Sequence, residues 1–203
     1  MASKLSENGM AGFILANGAL SGGGEEYKIR KKLIENNLIE AILVLPQDMF
    51  YTTNISVTLW ILNKNKKTQS KTVGNETRKY RGREKEILFM DLRQMGEPFE
   101  KKFTQFSEAD IKKVSSSFHQ WQQVEIENIP EYCYAAKLEE IAAKDFSLVP
   151  SKYIEFVNRD ENIDFDEKMT SLQSEFVDLL RAETQSKNDL LTVFKELGYE
   201  IKL

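Results

Sequence analysis

Phe50 and Tyr51 stand side by side after an apolar run and a proline turn, with Asn54 close behind. Aromatic rings in a loop after a strand can hold a nucleobase that has been turned out of a duplex, because such a base is held against flat apolar groups. Stacking of this kind is worth about 1–3 kcal/mol per base. The same two rings can equally anchor the loop beneath a sheet, and Asn54 can equally be a turn former. A second candidate is the segment from Lys64 to Lys85, where nine bases face only Glu76 and Glu84. Lys64, Lys66, Lys67, Arg81 and Arg83 are its candidate contacts to a DNA backbone. Each neutralised phosphate would steepen the log–log salt dependence of binding by about 0.9. The competing reading is a solvated hairpin, since most charge runs are solvated.

Other chemistry is closely bounded. Cys133 and His119 are the only residues of their types. A disulfide within the chain and a His/Cys zinc site are thereby excluded, and a serine or cysteine triad would rest on His119 alone. No catalytic, cofactor-binding or metal-ligating residue is assigned. Ser21-Gly22-Gly23-Gly24 precedes a helix, where backbone amides can bind anions. It lacks the Lys and Ser/Thr of a phosphate loop, and Glu25-Glu26 would repel a phosphate, so a helix start is expected. Asp91 is expected to pair with Arg93 or to cap a turn.

The elements that must position these groups follow from pattern. Residues 11–16 read as a short buried strand ended by Asn17-Gly18. A helix follows from Glu25, with Tyr27, Ile29, Leu33 and Ile34 inward and Arg30, Lys31 and Lys32 largely opposite. Residues 38–45 form a nearly continuous apolar run stopped by Pro46, as in a strand covered on both faces. Residues 56–62 and 86–92 make two more strands. Strand, helix, strand predicts a parallel pair with a right-handed crossover, and residues 63–85 a long exposed hairpin or loop. Ser107 with Asp110 predicts a capping box for a helix from Glu108 to about Gln123. A short helix is expected at 137–144, and a long one from about Asp164, stopped by Gly198. Its apolar stripe, Met169, Leu172, Phe176 and Leu179, then Leu190, Phe194 and Leu197, is interrupted at Glu183, Ser186 and Lys187. Two shorter amphipathic segments are therefore expected rather than a sustained coiled coil. No apolar run approaches the roughly 20 residues that cross a bilayer, no secretory signal is visible, and the lone cysteine suits a reducing, cytoplasmic setting.

In order along the chain, several stretches resemble the modification (M) subunits of type I restriction-modification systems. These are Leu15-Ala16-Asn17-Gly18-Ala19-Leu20 with Gly23-Gly24 and residues 29–36; Leu45-Pro46 with residues 49–55 and Leu59-Trp60-Ile61-Leu62; residues 85–93; and residues 145–148 with Pro150-Ser151-Lys152-Tyr153. The resemblance implies an α/β fold, a partial Rossmann-like S-adenosylmethionine-dependent methyltransferase sheet followed by a helical C-terminal region. On that basis residues 1–103, with the basic loop 63–85, are the C-terminal portion of the methyltransferase domain, and residues 104–203 are helical. The family's Asp-Pro-x-x-Gly-Ser-Gly cofactor turn and Asn-Pro-Pro-aromatic motif do not occur in this sequence.

The chain is accordingly expected to be the part that follows those motifs. It would lack the first strands of the sheet and most of the S-adenosylmethionine pocket, binding that cofactor poorly and being inactive alone. The resemblance also implies a parent that methylates adenine in DNA, with Phe50 or Tyr51 beside the turned-out base. Its implied partners are DNA, the specificity (S) subunit and the restriction (R) subunit, with no membrane. An unpaired sheet edge adds an expected homodimer. Two other functions are compatible with the same residues: a non-catalytic DNA-binding or adaptor module on a degenerate scaffold, and a protein-interaction module acting through the C-terminal helices.

Overall fold

The computed structural model describes residues 2–73, 76–157 and 164–199. Its contacts divide the chain into two units, Met1–Val157 and Asn158–Leu203. The strands are β1 (Met10–Ala16), β2 (Ile39–Val44), β3 (Val57–Asn63), β4 (Gln69–Val73), β5 (Glu76–Tyr80), β6 (Glu86–Asp91), β7 (Glu97–Phe99), β8 (Phe103–Gln105) and β9 (Cys133–Lys137). The helices are α1 (Gly24–Glu35), α2 (Glu108–Gln123), α3 (Leu138–Ala143) and α4 (Phe165–Glu196).

In the first unit a mixed sheet of five strands has the order β1-β3-β2-β6-β9. β1 and β2 run the same way and are joined through α1, but they are not neighbours. β3 lies between them, antiparallel to both. The connection from β2 to β3 holds a turn and no helix, so the chain reverses directly and pairs antiparallel. The hydrogen-bonded parallel pair is β2 with β6, from Ala41 opposite Leu88 to Val44 opposite Asp91. Every residue of β2 is buried, as its apolar run predicts. One face of the sheet packs Ile42, Trp60, Phe89 and Ile87 with Ile34 of α1 and Ile141 of α3. The other packs Leu43, Leu88 and Met90 with Trp121 of α2. A fully buried side chain of this size contributes about 1.5–3 kcal/mol.

The structure corrects several expectations. The boundary expected at 103/104 falls instead at 157/158. β9, unrecognised in the sequence, pairs antiparallel with β6 and forms the other edge strand of the sheet, and α2 and α3 fall within the same unit. In α1 Tyr27, Leu33 and Ile34 face inward as expected, but Ile29 is 61% exposed while Arg30 is buried. The Arg30 guanidinium donates to the carbonyls of Ala19, Gly22 and Phe146, at 3.2, 2.9 and 2.9 Å. Three carbonyls left without donors would cost more than one exposed isoleucine. The capping box of α2 forms as predicted, with Ser107 Oγ accepting from Asp110 N and Ser107 N donating to Asp110 Oδ2. In the second unit α4 is one uninterrupted helix of 32 residues rather than two segments. Asp164 caps its start. Gly198, at φ +83°, ends it in a Schellman motif, in which Tyr199 N donates to Phe194 O.

A buried polar knot joins the sheet to the foot of the β4–β5 hairpin. β2 is irregular between Ile39 and Ala41, and such a bulge re-aims a side chain. Glu40, fully buried, accepts from Arg83 Nε at 3.0 Å, Gln122 Nε2 at 3.1 Å and Asn63 Nδ2 at 2.9 Å. Lys66, also buried, donates to the carbonyls of Ile39 and Glu86. Removing one partner of such a pair strands the other charge, which costs about 3–5 kcal/mol. Glu40→Ala should lose that much in urea unfolding, and Glu40→Met with Arg83→Met should lose less than the two single changes summed. Strict additivity would show that the pair is not coupled.

Burial pulls the Lys66 ammonium down to about 8 from its usual 10.5. Between these values the unfolded chain binds the extra proton, so this group makes stability rise with pH across that window. The stability difference between wild type and Lys66→Met should be flat below pH 8 and grow by roughly 3 kcal/mol towards pH 10.5. A flat difference throughout would mean that Lys66 is not desolvated.

Candidate functional site

β1, β2 and β6 all end at the same edge of the sheet, where Ala16 faces Val57 and Val44 faces both Thr58 and Asp91. Ligands of open α/β sheets bind outside the carboxyl ends of such strands. The loop carrying Phe50 and Tyr51 leaves from this edge. Its base is closed by Leu45 N donating to Val57 O at 2.9 Å and by Ser56 Oγ donating to Leu45 O. Thr53 N donates to Phe50 O at 3.2 Å, so Tyr51 and Thr52 form the tip of a tight turn. Ile55 N is received by Thr53 Oγ1, not by Asn54.

The two adjacent rings have different surroundings. Phe50 is partly buried against the core that contains Leu43 and Trp121. Tyr51 is 72% exposed. Its ring meets that of Phe103 edge to face, with centroids 4.7 Å apart and planes at 72°. Phe103 begins β8, and the next residue donates from Thr104 N to Asp48 O at 3.0 Å, fastening the β7–β8 hairpin to the loop. At the same edge Arg93 grips Asp91 in a forked ion pair, Nε–Oδ1 2.9 Å and Nη2–Oδ2 2.6 Å, as expected from the sequence.

Around the Gly-rich turn 21–24 the contacts are those of a helix start. Arg30 is bonded to the carbonyls of Ala19 and Gly22 around it, and Glu25 and Glu26 open the helix behind it. The carboxylates of Glu25 and Glu26 oppose an anion at this helix start. Cys133 is buried in the core and burial pushes its thiol up, away from a reactive thiolate. His119 Nδ1 pairs with Ser115 Oγ at 3.3 Å. Among the described residues no group of His, Cys, Asp and Glu could hold a metal ion, and no helix is long and apolar enough to cross a membrane.

The basic segment lies elsewhere. β3 ends at Asn63, opposite Met10 at the start of β1, so the β4–β5 hairpin leaves from the amino edge. The seven residues of β3 separate it from the Tyr51 edge by about 20 Å at ~3.3 Å per residue. A hairpin forms there as predicted, with Gln69 opposite Tyr80, but three of the five expected DNA contacts are structural. Lys66 and Arg83 are 2% and 1% exposed, which corrects their assignment. Their charges are consumed by Glu40 and by backbone carbonyls. Arg81 is largely buried too, donating to Trp121 O, Val124 O and Glu86 Oε2. Lys64 and Lys67 remain exposed. The structure thus keeps the Phe50–Tyr51 loop and the basic hairpin apart. Of the residues that sequence reasoning missed, Glu40 and Arg30 carried weak signals, a lone acid in an apolar strand and an arginine on an amphipathic helix, and Phe103 carried none.

The N-6 DNA methylase family profile matches residues 1–162, nearly the span of the first unit. The chain belongs to this family. It is 32% identical over 199 residues to the type I restriction enzyme HindI methylase subunit of Haemophilus influenzae, covering 97% of this chain and 42% of that protein. It is 31% identical to the type I restriction enzyme MjaIX methylase subunit of Methanocaldococcus jannaschii, covering 95% of this chain and 33% of that protein. It therefore spans less than half the length of these relatives. The fold is similar to part of a type I restriction-modification methyltransferase subunit from Streptococcus thermophilus, with TM-score 0.59, 24% identity, and 73% of this chain against 27% of that one. The EcoKI M protein gives TM-score 0.55 at 17% identity, with coverage of 98% and 43%.

The differing environments of the two rings lead to different outcomes on truncation. Phe50→Ala should cost about 2 kcal/mol in urea unfolding, since it opens space beside the core. Tyr51→Ala should cost no more than about 1 kcal/mol. Equal costs would show that the turn does not sort the rings in this way.

Proposed function

We propose that this chain is the C-terminal part of a type I modification subunit whose whole protein transfers a methyl group from S-adenosylmethionine to the exocyclic amino nitrogen of adenine in DNA. The observation that carries this reading is the sheet itself. β1 stands at the end of the strand order, so one of its edges has no strand beside it among the described residues. Met10, Ile14 and Leu15 on it are exposed. An open apolar edge invites further strands, and the upstream portion of the relatives' greater length would supply them. The same edge would pair with a second copy when the chain is alone.

Within that enzyme the present residues do a limited job. Tyr51, solvent-facing at the carboxyl edge of the sheet, provides a flat wall for the turned-out adenine and keeps water from that face. Phe50 anchors the turn. The cofactor's cradle belongs to the upstream portion, since the family's Asp-Pro-x-x-Gly-Ser-Gly turn does not occur in this sequence. The exposed apolar stripe of α4, with Met169, Leu172, Phe176 and Leu179, is suited to docking on the S subunit, and the R subunit would join the cleaving complex. A stand-alone DNA-binding adaptor is disfavoured, because Lys66 and Arg83 are committed to Glu40 and the fold.

Transfer of tritiated methyl groups to DNA tests the reading. This chain alone should incorporate none, and co-expression with the upstream half and the S subunit should restore incorporation into adenine. Methylation by the chain alone, or none after reconstitution, would overturn it.

A further inference from the structure

We infer that Phe103 is a positioning residue for the base-holding site: the β7–β8 hairpin is a brace that sets the attitude of the Tyr51 ring. The inference rests on Tyr51 being the base wall. A tyrosine this exposed is free to rotate unless something fixes it, and a rotating ring loses entropy each time a base stacks on it. Phe103 supplies the constraint. Its contact is perpendicular, with planes at 72° and centroids 4.7 Å apart, a favoured arrangement for aromatic pairs that leaves Tyr51 a flat face open. Phe103 is itself engaged, because the Lys102 ammonium lies over its ring at 5.1 Å. Phe103 therefore orients the neighbouring ring instead of serving as a second stacking platform.

The hairpin is built to hold that position. Thr104 N donates to Asp48 O at 3.0 Å, just ahead of the Phe50–Tyr51 turn, tying both segments together through the backbone. Gln105 Nε2 donates to Glu97 Oε1 across the two strands at 3.0 Å. Gly96 enters the hairpin at φ +98°, and a Cβ there would stand 2.7 Å from the Thr104 methyl and 2.9 Å from Gln105 O. Only glycine permits this close approach. Downstream, β8 runs almost directly into the capping box of α2, so the brace is fixed at both ends.

The test uses the whole chain and a single-stranded oligonucleotide carrying 2-aminopurine in place of one adenine, whose fluorescence is quenched on stacking. Wild type should quench it, and Tyr51→Ala should abolish the quenching. Phe103→Leu keeps apolar bulk and the fold, verified by an unchanged urea midpoint. It should raise the half-quenching concentration by about 3–10-fold, the range an aromatic pair contributes, and reduce the quenching amplitude. Phe103→Tyr should restore both to within about two-fold. Quenching by Phe103→Leu equal to wild type, with Tyr51→Ala inactive, would overturn the brace and leave the base wall standing. Quenching that Tyr51→Ala retains, or none by wild type, would overturn both.

Discussion

The carboxylate of Glu40 is the interaction on which the first unit is hung. It sits in a strand otherwise made of apolar side chains, at a register irregularity that turns it to one side. Three donors from three different segments converge on it: Asn63 from the end of β3, Arg83 from the foot of the basic hairpin, and Gln122 from the last turn of α2. Charge removed from water at such a place is stabilised only by a complete set of partners. Any slip of β3 against β2, or of α2 against the sheet, would break that set. The Arg81 and Arg83 guanidiniums also reach carbonyls at the C-terminal end of α2, the negative end of its dipole. Both lie over the Trp121 ring. One acid therefore settles the strand register, the seat of the hairpin and the seat of a helix together.

That arrangement fixes what each edge of the sheet is for. The amino edge holds charge that has been taken inside and neutralised, and it works as scaffold. The carboxyl edge, where β1, β2 and β6 end, holds an exposed ring on a tight turn, a second ring against it, and an arginine fixed by Asp91. The basic stretch drew attention as a DNA surface, yet its buried members serve the fold, and among the described residues Lys64, Lys67, Lys79 and Lys85 face water. The aromatic loop, with far less charge, leaves from the carboxyl edge, where ligands of open α/β sheets bind.

Much of the fold was legible because local patterns decided it. Residues 38–45 read as a strand covered on both sides, Ser107 with Asp110 as a helix cap, and Gly198 as a helix stop. What was not legible depended on partners distant in sequence. Periodicity cannot tell whether β3 joins the outside of β2 or comes between β2 and β1. Nor can it tell that Arg30 has three carbonyls waiting for it while Ile29 faces solvent. β9, five residues with two alanines, is too short and mild to announce a strand until β6 is beside it. Lys66 and Arg83 sat in a run that looked solvated, and only the buried Glu40 gives them a reason to turn inward. For the site, Phe50 and Tyr51 were legible as a pair, but their division into anchor and exposed face required the turn. Phe103, about fifty residues away, had no sequence link to them.

If the sheet is completed through β1 by the upstream part of a methyltransferase, the most direct measurement is amide hydrogen exchange at Met10–Ala16, in this chain alone and in the whole subunit. The amides of β1 that do not bond to β3 should exchange rapidly in the chain alone, at a dilution where it does not pair with a second copy. In the whole subunit they should become as protected as those of β2 and β6. Exchange at β1 that is the same in both would mean that this edge stays open, and that the chain is not the remaining part of a larger sheet.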